Sequence, residues 1–265
     1  VAFTVDFFDL AGNPGNQVVS IMSGSNVTFD KLAPAITSVV VTSSNTDFPT
    51  LAKSGQIISV VINADVPLSS ITGASIEENN ITGTDISELT PSKWKFSYTL
   101  DGSEDDGSAS YAFTMTDLAG NTTDISEVGS DVTIDNTAPE LTFIGIESDN
   151  SLTGYAKEDN TVTLTINSDS DLSEAVSLAL KVYLAGESVT PVKIAGSAKN
   201  YTAEIDMVDV PIEGLISISI TFSVIAGNLG NSGDPVTATT NGTSVILDKQ
   251  DPTLSRVSIK SNNFY

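Results

Sequence analysis

The stretch Asp117-Leu118-Ala119-Gly120-Asn121 decides the fold, because the same five residues stand at Asp9-Leu10-Ala11-Gly12-Asn13, 108 positions earlier. A shorter copy, Ile225-Ala226-Gly227-Asn228, repeats this interval when Ile225 is put in the place of the aspartate. Self-similarity at a fixed period is typical of tandem modules. The chain is therefore predicted to consist of repeated modules.

A second marker follows each copy and sets the module boundaries. A β-rich run ends in an aspartate, and a proline follows four positions later, at Asp30 and Pro34, Asp135 and Pro139, and Asp248 and Pro252. We therefore expect the end of one module in residues 1–33, complete modules in 34–138 and 139–251, and the first strand of another in 252–265. Because both ends fall inside modules, we expect the polypeptide to continue in both directions.

Composition restricts the function classes. The chain has 11 Lys plus Arg against 34 Asp plus Glu and a net charge of −23, which excludes nucleic acid as a partner and favours cations. It has neither Cys nor His, so only carboxylates, hydroxyls and lysines remain for chemistry, and we expect no enzyme activity. No apolar stretch is long enough to cross a membrane, so no membrane insertion is expected in this segment.

Short alternating runs rich in Val, Ile and Thr, separated by turn residues, predict an all-β fold. Seven such strands per module indicate tandem immunoglobulin-like seven-strand β-sandwiches arranged head to tail. The predicted strands of the first complete module are 36–43, 56–63, 73–78, 80–84, 93–100, 108–116 and 131–135. Those of the next module are 140–147, 161–167, 175–184, 189–194, 201–206, 215–224 and 243–248, with the alternating run 216–222 as strand F.

Trp94, Phe96 and Tyr98 lie on one face of a predicted strand at two-residue spacing. Such a stripe is either an aromatic platform for a ligand or part of the core, and we interpret it as core. Tyr201 and Ile205 hold equivalent places in the next module, which agrees with a packing role.

The motifs resemble a known family. A strand followed by Asp-Leu-Ala-Gly-Asn, then a strand ending in Ile134-Asp135-Asn136-Thr137-Ala138-Pro139, is similar to the bacterial immunoglobulin-like repeats of giant surface adhesins and biofilm-associated proteins. The resemblance is strongest at 111–139, good at 7–34 and weaker at 222–252, where Asp251 replaces the expected alanine. It implies an extracellular or cell-surface protein whose modules act mostly as spacers, with ligand binding left to other domains.

Two interpretations of the five-residue motif stay open. Gly120 and Asn121 suit a tight turn whose backbone amides bind Asp117. Alternatively, Asp117 joins acids from across the joint between modules to bind Ca²⁺, which takes six to eight oxygen ligands; the resemblance favours this, because related arrays are stiffened by calcium. The candidate metal ligands are Asp30, Asp65 and Asp117 at the first joint and Asp135, Asp169 and Asp171 at the second. Because Ile225 cannot contribute a ligand, we expect a weaker or empty site at the second joint.

The acidic loop formed by Asp101, Ser103, Asp105, Asp106 and Gly107 is another calcium candidate. Its glycine is displaced and no closing glutamate follows at the required spacing, so a solvated turn is the favoured interpretation.

The sequence as a whole predicts a spacer or stalk segment of a long extracellular repeat protein that projects or links a functional region. Its partners would be neighbouring modules of the same chain. The alternative is a structural subunit of an extracellular filament, surface hair or sheath, in which modules also contact other chains of a surface assembly. Large apolar patches outside the joints would favour the alternative.

Overall fold

The computed structural model describes residues 2–21, 23–24, 27–174, 179–197 and 199–262, without the side chains of Glu127 and Asp209. The chain forms two compact units. Unit 1 comprises residues 1–44, 55–101 and 108–133, and unit 2 comprises residues 45–54, 102–107 and 134–265.

The regular secondary structure of the described residues is almost wholly short β-strands. Those before residue 135 are β1 (Ile36–Ser43), β2 (Leu51–Ala52), β3 (Ile57–Ala64), β4 (Leu68–Ile76), β5 (Asn79–Asn80), β6 (Ile86–Thr90), β7 (Lys93–Thr99), β8 (Gly107–Asp117) and β9 (Thr122–Ile134). Those after it are β10 (Leu141–Ser148), β11 (Tyr155–Ala156), β12 (Thr161–Ser168), β13 (Lys181–Leu184), β14 (Glu187–Val189), β15 (Val192–Lys193), β16 (Asn200–Asp206), β17 (Gly214–Leu215), β18 (Ile218–Thr221) and β19 (Ile246–Leu247). Three short 3-10 turns lie at Gly83–Asp85, Met207–Asp209 and Gly230–Gly233.

Unit 1 has the two sheets of an immunoglobulin-like fold. One sheet has the order β1-β3-β7-β6, and the other contains the order β9-β8-β4-β5. In chain order these strands correspond to A, B, E and D of the first sheet and to G, F, C and C′ of the second. The sheets face each other across a dry core, because Phe96 of β7 and Phe113 of β8 pack with ring centroids 5.6 Å apart and are both buried.

Unit 2 repeats this plan. The sheet β10-β12-β16-β15 has the same A-B-E-D order, and the other sheet is found as two parts, β14-β13-β18 and β11-β19-β17. The two parts share strand F, because β18 pairs with β13 while β17 pairs with β19. A core of alternating side chains, such as Leu164 and Ile166 of β12 and Val182 and Leu184 of β13, fills the space between the sheets. The chain is therefore a tandem of immunoglobulin-like β-sandwiches, as predicted.

The seven-strand count is not the observed count, because nine strands are described between residues 36 and 134. The strands that sequence patterns miss are the two-residue β2 and the polar edge strand β6. Strand G is also longer than the predicted 131–135, since β9 begins directly after the Asp-Leu-Ala-Gly-Asn turn. Edge strands and polar strands bury little apolar surface, so their pairing leaves a weak pattern in the sequence.

The strand predictions for the next module hold in type and differ in extent. Residues 175–178 of the predicted strand 175–184 lie outside the described residues, and β13 covers its end. The predicted strand 189–194 belongs to two sheets, with β14 beside β13 and β15 beside β16. The run 216–222 is part of strand F, as predicted, although β18 is its only regular section among the described residues.

The predicted aromatic core is confirmed at its centre. Phe96 and Tyr201 are buried, and Ile205 packs against the core from a partly exposed position. Trp94 and Tyr98 are half-buried.

Candidate functional site at the joints

The motif Asp117 to Asn121 forms a closed turn between strands F and G. Asp117 Oδ1 accepts the N–H groups of Ala119 at 2.8 Å and Asn121 at 2.9 Å, and its Oδ2 accepts the side-chain amide of Asn121 at 2.9 Å. Gly120 has φ +93°, which glycine adopts without strain. The bond from the Asn121 side chain, followed by the backbone N–H groups, lowers the pKa of Asp117. The turn interpretation of the motif is thus confirmed.

The copy at Asp9 has the same geometry. Asp9 Oδ1 accepts the N–H groups of Ala11 and Asn13, both at 2.9 Å, and Oδ2 accepts the Asn13 side chain at 2.8 Å. The pKa of Asp9 is likewise lowered, first by the Asn13 side chain. Because Asp9 is exposed whereas Asp117 is buried, the five residues themselves determine this turn.

The third copy corrects the sequence alignment. Val224 N–H donates to the Asn228 carbonyl at 3.1 Å and Gly227 N–H donates to the Val224 carbonyl at 2.9 Å. These bonds match those that Asp117 makes with Asn121 and Gly120. Val224, and not Ile225, therefore occupies the aspartate position, and Ile225 corresponds to the leucine of the motif. The copy without a carboxylate spans residues 224–228.

The aspartate that begins each joint bends the chain there, and Asp135 and Asp248 follow a strand G directly. We define the first, second and third joints as residues 30–34, 135–139 and 248–252. The Oδ1 atoms of Asp30, Asp135 and Asp248 accept the N–H group two residues later at 2.9, 3.1 and 3.0 Å. Such a bond imitates a backbone turn, which explains the second repeated marker of the sequence.

A third aspartate, in the B to C loop, fastens the start of each sandwich. Asp65 Oδ1 accepts the N–H group of Ala35 at 2.8 Å, while the Asp65 N–H group donates to the Ala35 carbonyl at 3.0 Å. Asp169 and Glu140 form the same reciprocal pair at 2.9 and 3.0 Å. The Glu140 amide is the main cause that lowers the pKa of Asp169.

The turn asparagine reaches the joint in both units. In unit 1, Asn121 Nδ2 lies 3.5 Å from the carbonyl oxygen of Asp30. In unit 2, Asn228 Nδ2 donates to the carbonyl oxygen of Asp135 at 2.6 Å and lies 3.3 Å from its Oδ1. Sequence reasoning assigned no role to these asparagines beyond the turn.

The acidic loop 101–107 is part of the second joint. Asp106 accepts the Asn136 N–H group and the Thr137 hydroxyl, and Asn136 donates its side-chain amide to the Glu104 carbonyl at 2.9 Å. Glu104 is buried, whereas the five residues of the acidic loop named above are exposed, as expected of a solvated turn. Burial, and then the charge of Asp106, raise the pKa of Asp135.

The six predicted metal ligands can now be placed. Asp30, Asp65 and Asp117 all border the first joint, and their carboxylates accept the N–H groups described above. Asp135 and Asp169 border the second joint in the same way, whereas Asp171 is exposed. Within the part of the chain that the structure describes, no three acidic side chains form a group that could hold a metal ion.

The described residues contain no helix with the length and apolar character needed to cross a membrane.

No protein-family model and no curated protein matches the chain. Among solved structures, the chain is similar to a Ca²⁺-stabilized adhesin with which an Antarctic bacterium binds ice, at TM-score 0.46 and 20% identity over 92% of this chain and 56% of the adhesin chain. It is also similar to the I9–I11 tandem of titin, at TM-score 0.29 and 11% identity over 79% of this chain and 64% of the titin chain. The tandem immunoglobulin repeats of Dlar give TM-score 0.24 and 12% identity over 82% of this chain and 99% of theirs. The chain thus spans about half the length of the adhesin structure. The fold assignment depends on the strand orders given above.

Proposed function

We infer that the chain is a spacer or stalk segment of an extracellular, adhesin-like repeat protein and that it acts mechanically. The observation that carries this proposal is the shared construction of the joints. The first and second joints each lead into a sandwich that the structure describes. At each of them, five residues precede the sandwich, and side-chain to main-chain hydrogen bonds fix them.

Such a joint has few free torsions. A proline ends each joint and fixes its own φ, and an aspartate at either side of it binds backbone N–H groups. A flexible linker would instead be rich in glycine and serine, with its backbone free in water. The bonded joints therefore support a spacer role for this segment. The net charge of −23 supports the same proposal, because it keeps a long surface protein soluble and extended.

Small-angle scattering of the full chain tests the spacer role, with a reference variant that carries Gly-Ser-Gly-Ser inserted after Thr137. We expect the native chain to show a defined distance between its sandwiches and the insertion variant to show a broad distribution. Equal distributions would refute the proposal, because the native joint would then be as free as a flexible linker.

Calcium at the joints is the finer part of this proposal. The carboxylates that border the joints favour a hard cation chemically. Only Oδ1 of Asp30, Asp65 and Asp135 accepts the N–H groups described above, so their other oxygens would be the ligands for calcium. The described residues do not bring three such side chains together. We therefore expect a narrower distance distribution in Ca²⁺ than in EGTA. An unchanged distribution and melting temperature would reject calcium and leave the spacer role untouched.

Lateral assembly is the second candidate function, and one surface favours it. Tyr155, Ile246 and Leu215 lie in register across β11, β19 and β17 and are 52%, 38% and 65% exposed. Their chain neighbours Ala156 and Leu247 point into the core. The residue of β9 that corresponds to Ile246 is the polar Thr133, which is also exposed. An apolar row whose central residue is polar in the other sandwich fits contact with a second copy of the chain.

Sedimentation at rising protein concentration tests this candidate. The double variant Ile246→Thr, Leu215→Ser replaces two of the three residues of the apolar row without touching the core. We expect self-association of the native chain and its loss in the variant. A native chain that stays monomeric at high concentration would exclude assembly through this surface.

A further inference from the structure

The two described joints differ in the partner of the turn asparagine. At the first joint, Asn121 Nδ2 binds Asp117 Oδ2 inside its own turn at 2.9 Å and lies 3.5 Å from the Asp30 carbonyl oxygen. At the second joint, Asn228 Nδ2 binds the Asp135 carbonyl oxygen at 2.6 Å. The same amide thus binds the turn closely and the joint only at the limit of a hydrogen bond in one unit, and binds the joint closely in the other.

The residue at the first position of the turn explains the difference. A carboxylate at this position offers the asparagine a charge-assisted bond, which is stronger than a bond to a neutral carbonyl. Val224 has no acceptor, so the Asn228 amide is free to reach the joint. A separation of 3.5 Å is at the limit of a hydrogen bond, whereas 2.6 Å is short.

A second contact near the Val224 turn is longer and lies at the limit of a hydrogen bond. The side-chain amide of Asn45 lies 3.5 Å from the carbonyl oxygen of Ala226, inside the Val224 turn. The Asn45 side chain is itself positioned, because its Oδ1 accepts the N–H groups of Asp47 and Phe48 at 3.2 and 3.0 Å. Asn45 is buried, so this contact is shielded from water.

We propose that the first residue of the F to G turn selects how firmly a sandwich is held to the one before it. An acid there keeps the asparagine in the turn and leaves a looser joint. An apolar residue releases the asparagine to the main-chain carbonyl that ends the preceding strand G. Val224 and Asp117 are thus positioning residues that act through Asn228 and Asn121. The inference rests on the proposed spacer function and adds a sequence rule for the stiffness of each joint.

The direct test is the hydrogen bond itself in the full chain. NMR scalar coupling across the bond from Asn228 Nδ2 to the Asp135 carbonyl carbon is expected in the native protein. Val224→Asp should abolish it, whereas the matched control Val224→Ala, which adds no acceptor, should keep it. A folded Val224→Asp variant that retains the coupling would overturn the proposal.

The reciprocal variant keeps the proposal testable if Val224→Asp fails to fold. Asp117→Val should create a coupling from Asn121 Nδ2 to the Asp30 carbonyl carbon that the native protein lacks. Absence of this coupling in a folded Asp117→Val protein would contradict the selection rule.

Joint mobility is measured by electron paramagnetic resonance. Because the chain has no cysteine, Thr72→Cys and Ser188→Cys on exposed strand positions give one pair of spin labels. We expect Val224→Asp and Asn228→Ala to raise the share of distances outside the main peak about fivefold, the factor for one net hydrogen bond. An unchanged distribution in both would refute the effect on stiffness. A broad distribution already in the native chain would instead refute the spacer function while leaving the NMR result intact.

Discussion

The hairpins between strands C and C′ permit a quantitative prediction, because the two units close the same turn with different residues. In unit 1, Ile76 pairs with Asn79, and Glu77 and Glu78 between them have φ 48° and 60°. In unit 2, Leu184 pairs with Glu187, and the two residues between them are Ala185 and Gly186 with φ 54° and 87°. Both are two-residue turns with positive φ at each central position, which favours glycine.

The change Glu78→Gly should stabilise the hairpin of unit 1. A residue with a Cβ in the left-handed region costs about 1–2 kcal/mol, and the greater freedom of glycine in the unfolded chain offsets about 0.5–1 kcal/mol of the relief. The net gain in the free energy of unfolding is therefore about 0.5–1 kcal/mol. Glu77 is left unchanged, because its carboxylate accepts the N–H group of Ser110.

Tryptophan fluorescence is the assay, because Trp94 is the only tryptophan of the chain and lies on β7 of unit 1. The midpoint of thermal unfolding should rise by about 2–8 °C. The control Gly186→Glu places a side chain at φ 87° in unit 2, so it should lower the unfolding transition seen by circular dichroism and leave the Trp94 signal unchanged. A Trp94 midpoint that is unchanged or lower in Glu78→Gly would refute the strain argument.

Three further predictions concern the joints and the core. Asp65→Ala should cost about 1 kcal/mol at the start of its sandwich, because the Ala35 N–H group loses its acceptor, and the Ala35 amide should exchange its hydrogen faster. Asp65→Asn keeps an acceptor and should leave this exchange rate unchanged. Equal exchange rates in both variants would contradict this role of Asp65. The pKa of Asp135 is raised by burial and by Asp106, so its ionised form opposes folding at neutral pH and this cost disappears as the pH falls through the raised pKa. Asp135→Asn should therefore raise the urea midpoint at pH 7 and lose this advantage in acid, and a gain independent of pH would exclude the charge as its cause. Phe96→Ala should cost about 3–5 kcal/mol of unfolding free energy, and a loss under 1 kcal/mol would show that Phe96 is not central to the core.

Acidic side chains at the joints have two effects that depend on their surroundings. The carboxylates of Asp117 and Asp169 are bound by N–H groups, which lowers their pKa. Burial without a bond from a neighbouring side-chain amide of its own turn, together with the charge of Asp106, raises the pKa of Asp135. The same residue type thus stabilises one part of a joint at neutral pH and weakens another. The stability of the joints should therefore depend on pH.

Local sequence alone determined the turns and the central strands. The Asp9 and Asp117 turns have the same bonds, because every donor and acceptor lies within five residues. Strand A was predicted at its observed limits, Ile36–Ser43, since a short run of β-branched residues bounded by turn residues marks a strand.

Tertiary structure decided the features that depend on distant residues. The backbone pairing of Val224 with Asn228 places Val224 at the aspartate position of the third turn. The sequence match of four residues had placed Ile225 at this position. The partner of Asn228 lies 93 positions away in the chain, so no local pattern contains it. The sequence determined which residues form the turn after strand F, and only the fold decided whether the last residue of that turn serves the turn or the joint.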